Sequence, residues 1–186
     1  MNSKSCLLIL SLGAALFGQA ASASNWETSS YTGLGFIDEG GLDDSSFSSS
    51  FSVVYRFGEV WGVEVGYTSF DDYKSGFDIA GGRGQAQADI DGFTLGLNYR
   101  SMLNESWYLT GHAGLWGWRS DGKIDVPGVA LVRVDDDGTD AFVGAGFGYM
   151  FTKRWGAGLG VTWYGVDFNG NSTSTYIVGF NTGYQF

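Results

Sequence analysis

One cysteine, one proline and one histidine are all that 186 residues contain. The cysteine, Cys6, lies in the first apolar stretch. If that stretch is removed on export, no thiol remains for a disulfide, a thiolate metal site or a nucleophile. Basic residues are also scarce: ten Lys and Arg face twenty Asp and Glu, for a net charge of −10. That balance excludes the broad basic face that nucleic acid demands. Beyond the leader there is no run of about twenty apolar residues, so a membrane helix is excluded. A chain that crosses a bilayer without such a helix must close its backbone hydrogen bonds as a barrel. What the sequence does have is glycine, 31 residues, and an aromatic content of 17%. The aromatics and the lack of a triplet period argue against both collagen and a disordered linker.

The first residues read as a secretory signal peptide. Lys4 supplies the positive start, Cys6 to Phe17 the apolar core, and Ala21-Ser22-Ala23 a small-residue cleavage site. Cleavage after Ala23 makes residues 1–23 the signal and residues 24–186 one domain. Cys6 stands at the start of the apolar core rather than after it, which does not suit a lipoprotein.

Period-two alternation fills the remainder. Phe47, Phe51, Val53, Tyr55 and Phe57 share a face against Ser48, Ser50, Ser52, Val54 and Arg56. The same pattern recurs from Trp61 to Thr68, Phe93 to Arg100, Trp107 to Trp118, Gly144 to Phe151, Trp155 to Tyr164 and Tyr176 to Phe186, with a shorter one from Ser30 to Ile37. Eight strands result, an even number as bacterial barrels require. Connections are very short at Gly58–Val60, Ser101–Ser106 and Thr152–Arg154. They read as long and polar at Asp38–Ser46, Phe70–Gly92 and Arg119–Asp140, with a smaller one at Asp167–Ser172. Every Asp falls in a long one. The predicted fold is all-β, an eight-stranded antiparallel up-and-down transmembrane barrel.

Trp61, Trp107 and Trp155 each open the strand after a short turn, and Tyr184 stands near the end of the last strand. Amphipathic rings favour the headgroup level, so these four read as one membrane girdle. Composition decides which face is inside. The second face is mostly Gly, Ser and Thr with Arg56, Glu64 and His112 embedded, which suits a narrow lumen better than a soluble surface. Gly144-x-Gly146-x-Gly148 lies within a strand and precedes no helix, so it fails the context of a nucleotide loop.

These residues resemble a known family. Gly62-Val63-Glu64-Val65-Gly66-Tyr67, Trp118-Arg119-Ser120-Asp121, Gly144-Ala145-Gly146-Phe147-Gly148-Tyr149 and Tyr184-Gln185-Phe186 look like the OmpA-type eight-stranded outer-membrane barrel, in the short form of OmpX and Ail type proteins without a periplasmic domain. The resemblance implies an outer-membrane location in a Gram-negative cell, contact with lipid and lipopolysaccharide, and assembly by the barrel-assembly machinery through Tyr184 and Phe186. It aligns Glu64 with a lumenal glutamate and His112 with a basic lumenal position, while Gly96 and Gly158 stand where other lumenal charges would be.

Arg56, Glu64 and His112 are therefore expected to form a lumenal polar network, with Arg56 a diagonal neighbour of Glu64. A small residue at Gly158 should be tolerated because it faces the lumen. No catalytic residue is expected: His112 is the only histidine, and Gly114 stands where a lipid A deacylase would show serine. No cofactor is expected. Asp38, Glu39, Asp43 and Asp44, and Asp135, Asp136, Asp137 and Asp140, form two acidic groups that read as weak candidates for divalent cations. Gln85 to Ile90 alternates with the parity opposite to Phe93-Leu95-Leu97, which predicts a bulge near Asp91-Gly92. Pro127-Gly128 predicts a turn between strands five and six, which would then protrude as a hairpin able to add a partner strand. The expected role is that of a monomeric structural or surface-interaction barrel, in adhesion or envelope integrity. A small nonspecific pore and a lipid-modifying enzyme are the alternatives.

Overall fold

The computed structural model describes residues 25–37, 45–79, 82–125, 132–168 and 171–186. Residues 1–23, Asp38, Glu39, Asp43, Asp44 and Pro127-Gly128 lie outside the described residues. Eight strands form: β1 (Trp26–Ile37), β2 (Ser45–Arg56), β3 (Trp61–Ile79), β4 (Gly82–Met102), β5 (Trp107–Asp125), β6 (Val132–Met150), β7 (Trp155–Phe168) and β8 (Asn171–Gln185). Each pairs antiparallel with the next, and β8 pairs with β1 to close the barrel. Closure leaves no edge in the barrel wall.

Three tight turns, residues 57–60, 103–106 and 151–154, lie at one end. Two carry a local side-chain acceptor. Asn104 Oδ1 accepts from the N–H groups of Ser106 and Trp107 at 2.9 Å each. Thr152 Oγ1 accepts from Arg154 N–H at 3.2 Å and Trp155 N–H at 2.9 Å. Backbone bonds close the same turns, from Leu103 N–H to Trp107 O at 2.8 Å and from Phe151 N–H to Trp155 O at 3.0 Å, and the side-chain acceptors take N–H groups that these leave over.

At the other end the structure corrects the sequence reading. Most of Phe70–Gly92 and Arg119–Asp140 is strand, not loop. β3 runs to Ile79 and β4 starts at Gly82; β5 runs to Asp125 and β6 starts at Val132. The described aspartates stand on these strand extensions, except Asp167, which lies near the end of β7. No bulge occurs at Asp91-Gly92, because β4 pairs with β5 in one register from Gln85 to Met102. The extra residue is on β3, where the register to β4 shifts between Phe70 and Tyr73. The parity change on β4 has another cause. Ile90 faces the lumen and is apolar because the lumen itself turns apolar there.

Strand alternation separates two environments. Phe93, Leu95, Leu97, Leu115, Leu159, Val161, Val178 and Phe180 point outward and are exposed. The barrel core lies inside: Phe70, Ile90, Trp116, Trp118, Phe142, Tyr164, Val166 and Ile177, with Tyr31 packed against them.

Candidate functional site

The lumen has two levels. Near the tight turns it is polar. Glu27 of β1 accepts from two guanidiniums: Arg56 Nε donates to Oε2 and Arg100 NH1 to Oε1, each at 2.8 Å. Arg56 also donates to Asn98 Oδ1 at 2.9 Å, and Asn98 Nδ2 donates to Glu64 Oε2 at 2.7 Å. Glu64 Oε1 lies 3.2 Å from His112 Nδ1, and His112 Nε2 lies 2.9 Å from Thr162 Oγ1. A Nδ1–H donated to the carboxylate leaves Nε2 to accept from the threonine. The network thus runs from β1 to β7. It places two carboxylates beside two guanidiniums, as buried charge requires. Arg100 also lies over the Tyr108 ring, 5.7 Å from its centroid.

Arg56, Glu64 and His112 all enter this network, but not as the diagonal pairing suggested. Arg56 bonds to Glu27, and Asn98 relays it to Glu64. Glu27 escaped the sequence reading because β1 starts at Trp26, ahead of the alternating stretch that marked it. Arg100 and Asn98 stood on the correct face without being singled out. Their signal was a charge and an amide at i and i−2 on the lumenal side of β4.

Bare backbone lets the chain of contacts cross strands. His112, Gly144 and Thr162 are successive partners on β5, β6 and β7. A Cβ at Gly144 would collide with His112 Nε2 and lie 2.6 Å from Thr162 Oγ1, so glycine is what allows that bond to form. Gly158 is different. A Cβ there would run into the Phe147 carbonyl and sit 2.7 Å from Gly148 Cα, both backbone. The expectation that Gly158 tolerates a small side chain is therefore corrected: the neighbouring strand, not an open lumen, faces it.

Above the network the lumen fills with rings. Trp116 is 0% exposed and donates from Nε1 to Gly165 O at 2.8 Å. It packs on Tyr164 at 4.8 Å and Phe70 at 6.1 Å between centroids, and Tyr164 stacks on Phe142 at 5.8 Å. Trp118 Nε1 donates to Asp140 Oδ2 at 2.7 Å. Phe142 meets the His112 ring edge-on at 5.4 Å, joining the two levels. Between them a cavity of about 70 Å³ is lined by Ser29, Tyr31, Ser50, Ser52, Glu64 and Thr68, among others.

The outer surface near the tight turns carries a ring of aromatics. Trp61 faces Tyr99, Trp107 faces Tyr149 and Trp155 faces Tyr184, each as direct cross-strand partners with centroids 4.9–5.0 Å apart. A fourth pair, Trp26 with Tyr55 at 5.0 Å, completes one aromatic per strand. Tyr184 also meets Phe186 at 5.0 Å.

The acidic group on β6 does not converge. Asp135 and Asp137 are exposed on one face, and Asp136 turns to the other, since successive side chains of a strand alternate. Asp136 Oδ1 instead accepts from Asp137 N–H at 3.0 Å. Among the described residues no group of three metal-ligating side chains is placed to hold an ion. Asp135, Asp136 and Asp137 are thus not brought together on one face of β6.

A closed antiparallel barrel with an apolar exterior and an interior filled by side chains is a transmembrane β-barrel. The chain belongs to the outer membrane protein β-barrel domain family, which matches residues 8–186. Solved structures share its fold. Neisserial surface protein A matches at TM-score 0.62 and 13% identity, covering 87% of this chain and 97% of its own. OprG of Pseudomonas aeruginosa matches at 0.58 and 16%, covering 88% and 98%. Ail, the attachment invasion locus protein of Yersinia pestis, matches at 0.53 and 16%, covering 86% and 97%. No curated protein sequence matches the chain.

Proposed function

We propose that this protein is a monomeric, non-enzymatic barrel of the Gram-negative outer membrane that acts at the cell surface, in adhesion or envelope integrity. One observation carries the reading. Strands β3 to β6 extend well beyond the others, and β6 pairs with β7 only from Phe142 onward. Its other edge is fully engaged with β5. Residues from Val132 to Ala141 therefore offer β7's side an edge with no strand partner among the described residues, apart from the Asp140 carboxylate accepting Asp167 N–H at 3.3 Å. Long connections face outward in this class of barrel, so the edge projects from the cell. An exposed edge recruits an extended segment of another protein by strand addition.

The ring of four Trp–Tyr pairs supports a lipid-headgroup position for the tight-turn end. In this reading Tyr184 and Phe186 serve as the assembly signal, read by the barrel-assembly machinery, and residues 1–23 as the cleaved leader. The aromatic plug disfavours a wide nonspecific pore. The Glu64–His112–Thr162 order matches a nucleophilic triad, yet Thr162 is buried within the wall network, which disfavours lipid modification.

The test replaces the β5–β6 extension beyond Arg119 and Asp137 with a tight turn. The shortened protein is expected to reach the outer membrane with its heat-modifiable gel mobility intact, while cells producing it lose adhesion or envelope integrity to the level of a deletion strain. Full function in the shortened protein overturns the reading.

A further inference from the structure

Beyond Phe93, Leu115 and Val143 the outer faces of β4, β5 and β6 turn from apolar to charged. β4 pairs with β5, and β5 with β6, in one unbroken register, so these charges line up in rows across the three strands. The first row is Asp91, Arg119 and Asp137, with one cation between two carboxylates. The second is Asp89, Asp121 and Asp135, three carboxylates abreast. Gln87, Lys123 and Arg133 form the third. Like charges directly opposite each other destabilise a sheet. On β5 the repulsion is met along the strand, because Arg119 and Lys123 flank Asp121 on its own face. On β6 it is not: from Val132 to Ala141 four aspartates stand against Arg133 alone. Asp135 and Asp137 are exposed, and neither carboxylate has an ion pair among the described residues. β6 is also the strand whose far edge no described strand covers here, since its pairing with β7 ends at Phe142.

We propose that this edge selects an extended polypeptide segment with basic side chains at alternate positions, seated opposite Asp135 and Asp137. The inference rests on the strand-addition reading of the edge and names the chemistry of the partner. Backbone hydrogen bonds hold an added strand whatever its sequence, so side chains must supply the choice. An added strand lengthens each row by one place. In the row of Asp91, Arg119 and Asp137, a cation in that place continues the alternation of sign. In the row of Asp89, Asp121 and Asp135, it supplies the cation that the row lacks. Asp135 and Asp137 share a face of β6, so the two basic residues of the partner stand two apart. One step further, Arg133 favours an acidic or neutral residue. The same charges oppose other occupants. A second copy of β6 would set aspartates against aspartates, which is one way charge keeps a free edge from pairing with its own kind. Residues 38–44, the longest connection outside the described residues, carry Asp38, Glu39, Asp43 and Asp44 and no cation. Complementary charge at exposed pairs contributes more to the choice of partner and the speed of its arrival than to affinity.

The test uses the whole protein refolded into nanodiscs of uncharged phosphatidylcholine, which do not themselves attract basic peptides. The probe is a synthetic peptide alternating lysine and threonine, long enough to span Val132–Ala141. It is compared by calorimetry with a peptide alternating glutamate and threonine, and with the lysine peptide N-methylated along its backbone. The lysine peptide should bind and the other two should not. Asp135→Asn combined with Asp137→Asn should weaken binding several-fold. Glu59→Gln combined with Glu105→Gln removes the same charge from the exposed tight turns, and should leave binding unchanged. Equal binding of the lysine and glutamate peptides, with the N-methylated one failing, overturns the choice by charge and leaves strand addition standing. Equal binding of the N-methylated lysine peptide, or no binding by any of the three, overturns both. Equal weakening in the two double variants overturns the assignment to Asp135 and Asp137.

Discussion

The two levels of the lumen solve one problem in opposite ways. Both must fill the inside of a barrel with side chains. Near the tight turns, five strands contribute ionic and hydrogen-bonding groups: Glu27, Arg56, Glu64, Asn98, Arg100 and His112. Near the strand extensions the filling is aromatic and aliphatic, around Trp116, Phe70 and Phe142. Packed rings gain by burial and need few partners beyond the indole N–H. A polar network gains little net energy, because desolvation opposes its Coulombic attraction, and it penalises the loss of any one member. The lesson is that stability is concentrated in the plug, and connectivity in the network.

Substitutions sharpen that contrast. Trp116→Ala should have the largest effect, destabilising the barrel by about 3–5 kcal/mol, because a large side chain leaves a packed site that relaxes only partly. Urea unfolding in lipid vesicles measures it; a loss below that of the network variants would reverse the ranking of the two levels. Gly158→Ser should cost about 1–3 kcal/mol through overpacking against the backbone of β6. Wild-type stability in the same assay would show that the strands yield there. Glu64→Gln should cost about 1–3 kcal/mol, since it weakens the bonds from Asn98 and His112 in a buried site. Its signature should be a changed His112 imidazole resonance in NMR spectra, with the Trp116 indole unmoved; movement of both would show that Phe142 couples the levels. Trp61→Leu on the outer surface should cost least, about 0.5–1.5 kcal/mol for the pairing with Tyr99, and should leave both lumenal levels unchanged by tryptophan fluorescence.

The same contrast explains what was legible in the sequence. Wherever one face is apolar and the other small or polar, alternation gives the strand and its orientation. That holds from Trp61 to Tyr67 and from Trp155 to Val161. In the plug the pattern inverts: the inward positions turn apolar while Ser69, Asp89 and Asp91 make the outer face polar. Phe70 and Ile90 then look like loop or a register slip, when they are inward-facing core. The start of β1 was missed for another reason: Thr28, Ser30 and Thr32 make its outer face polar, and Trp26 and Glu27 went unread. Charges on the lumenal face announced Arg56, Glu64 and His112, but neither Glu27, Asn98 and Arg100 nor the bonds among the six. Whether Arg56 reaches Glu64 or Glu27 depends on side-chain reach across a curved wall, which no linear spacing encodes.

The four Trp–Tyr pairs have a consequence for assembly. Each joins strands that are neighbours through a far connection, β1 with β2, β3 with β4, β5 with β6 and β7 with β8, and each sits at the end opposite that connection. A hairpin that zips from its own connection meets its Trp–Tyr rung last. A slip of one residue would turn one ring of the pair to the lumen and leave the other outside. The rings therefore act as a terminal clasp that closes only when every rung before it has been counted correctly, so a misregistered hairpin arrives at the membrane surface with its clasp open.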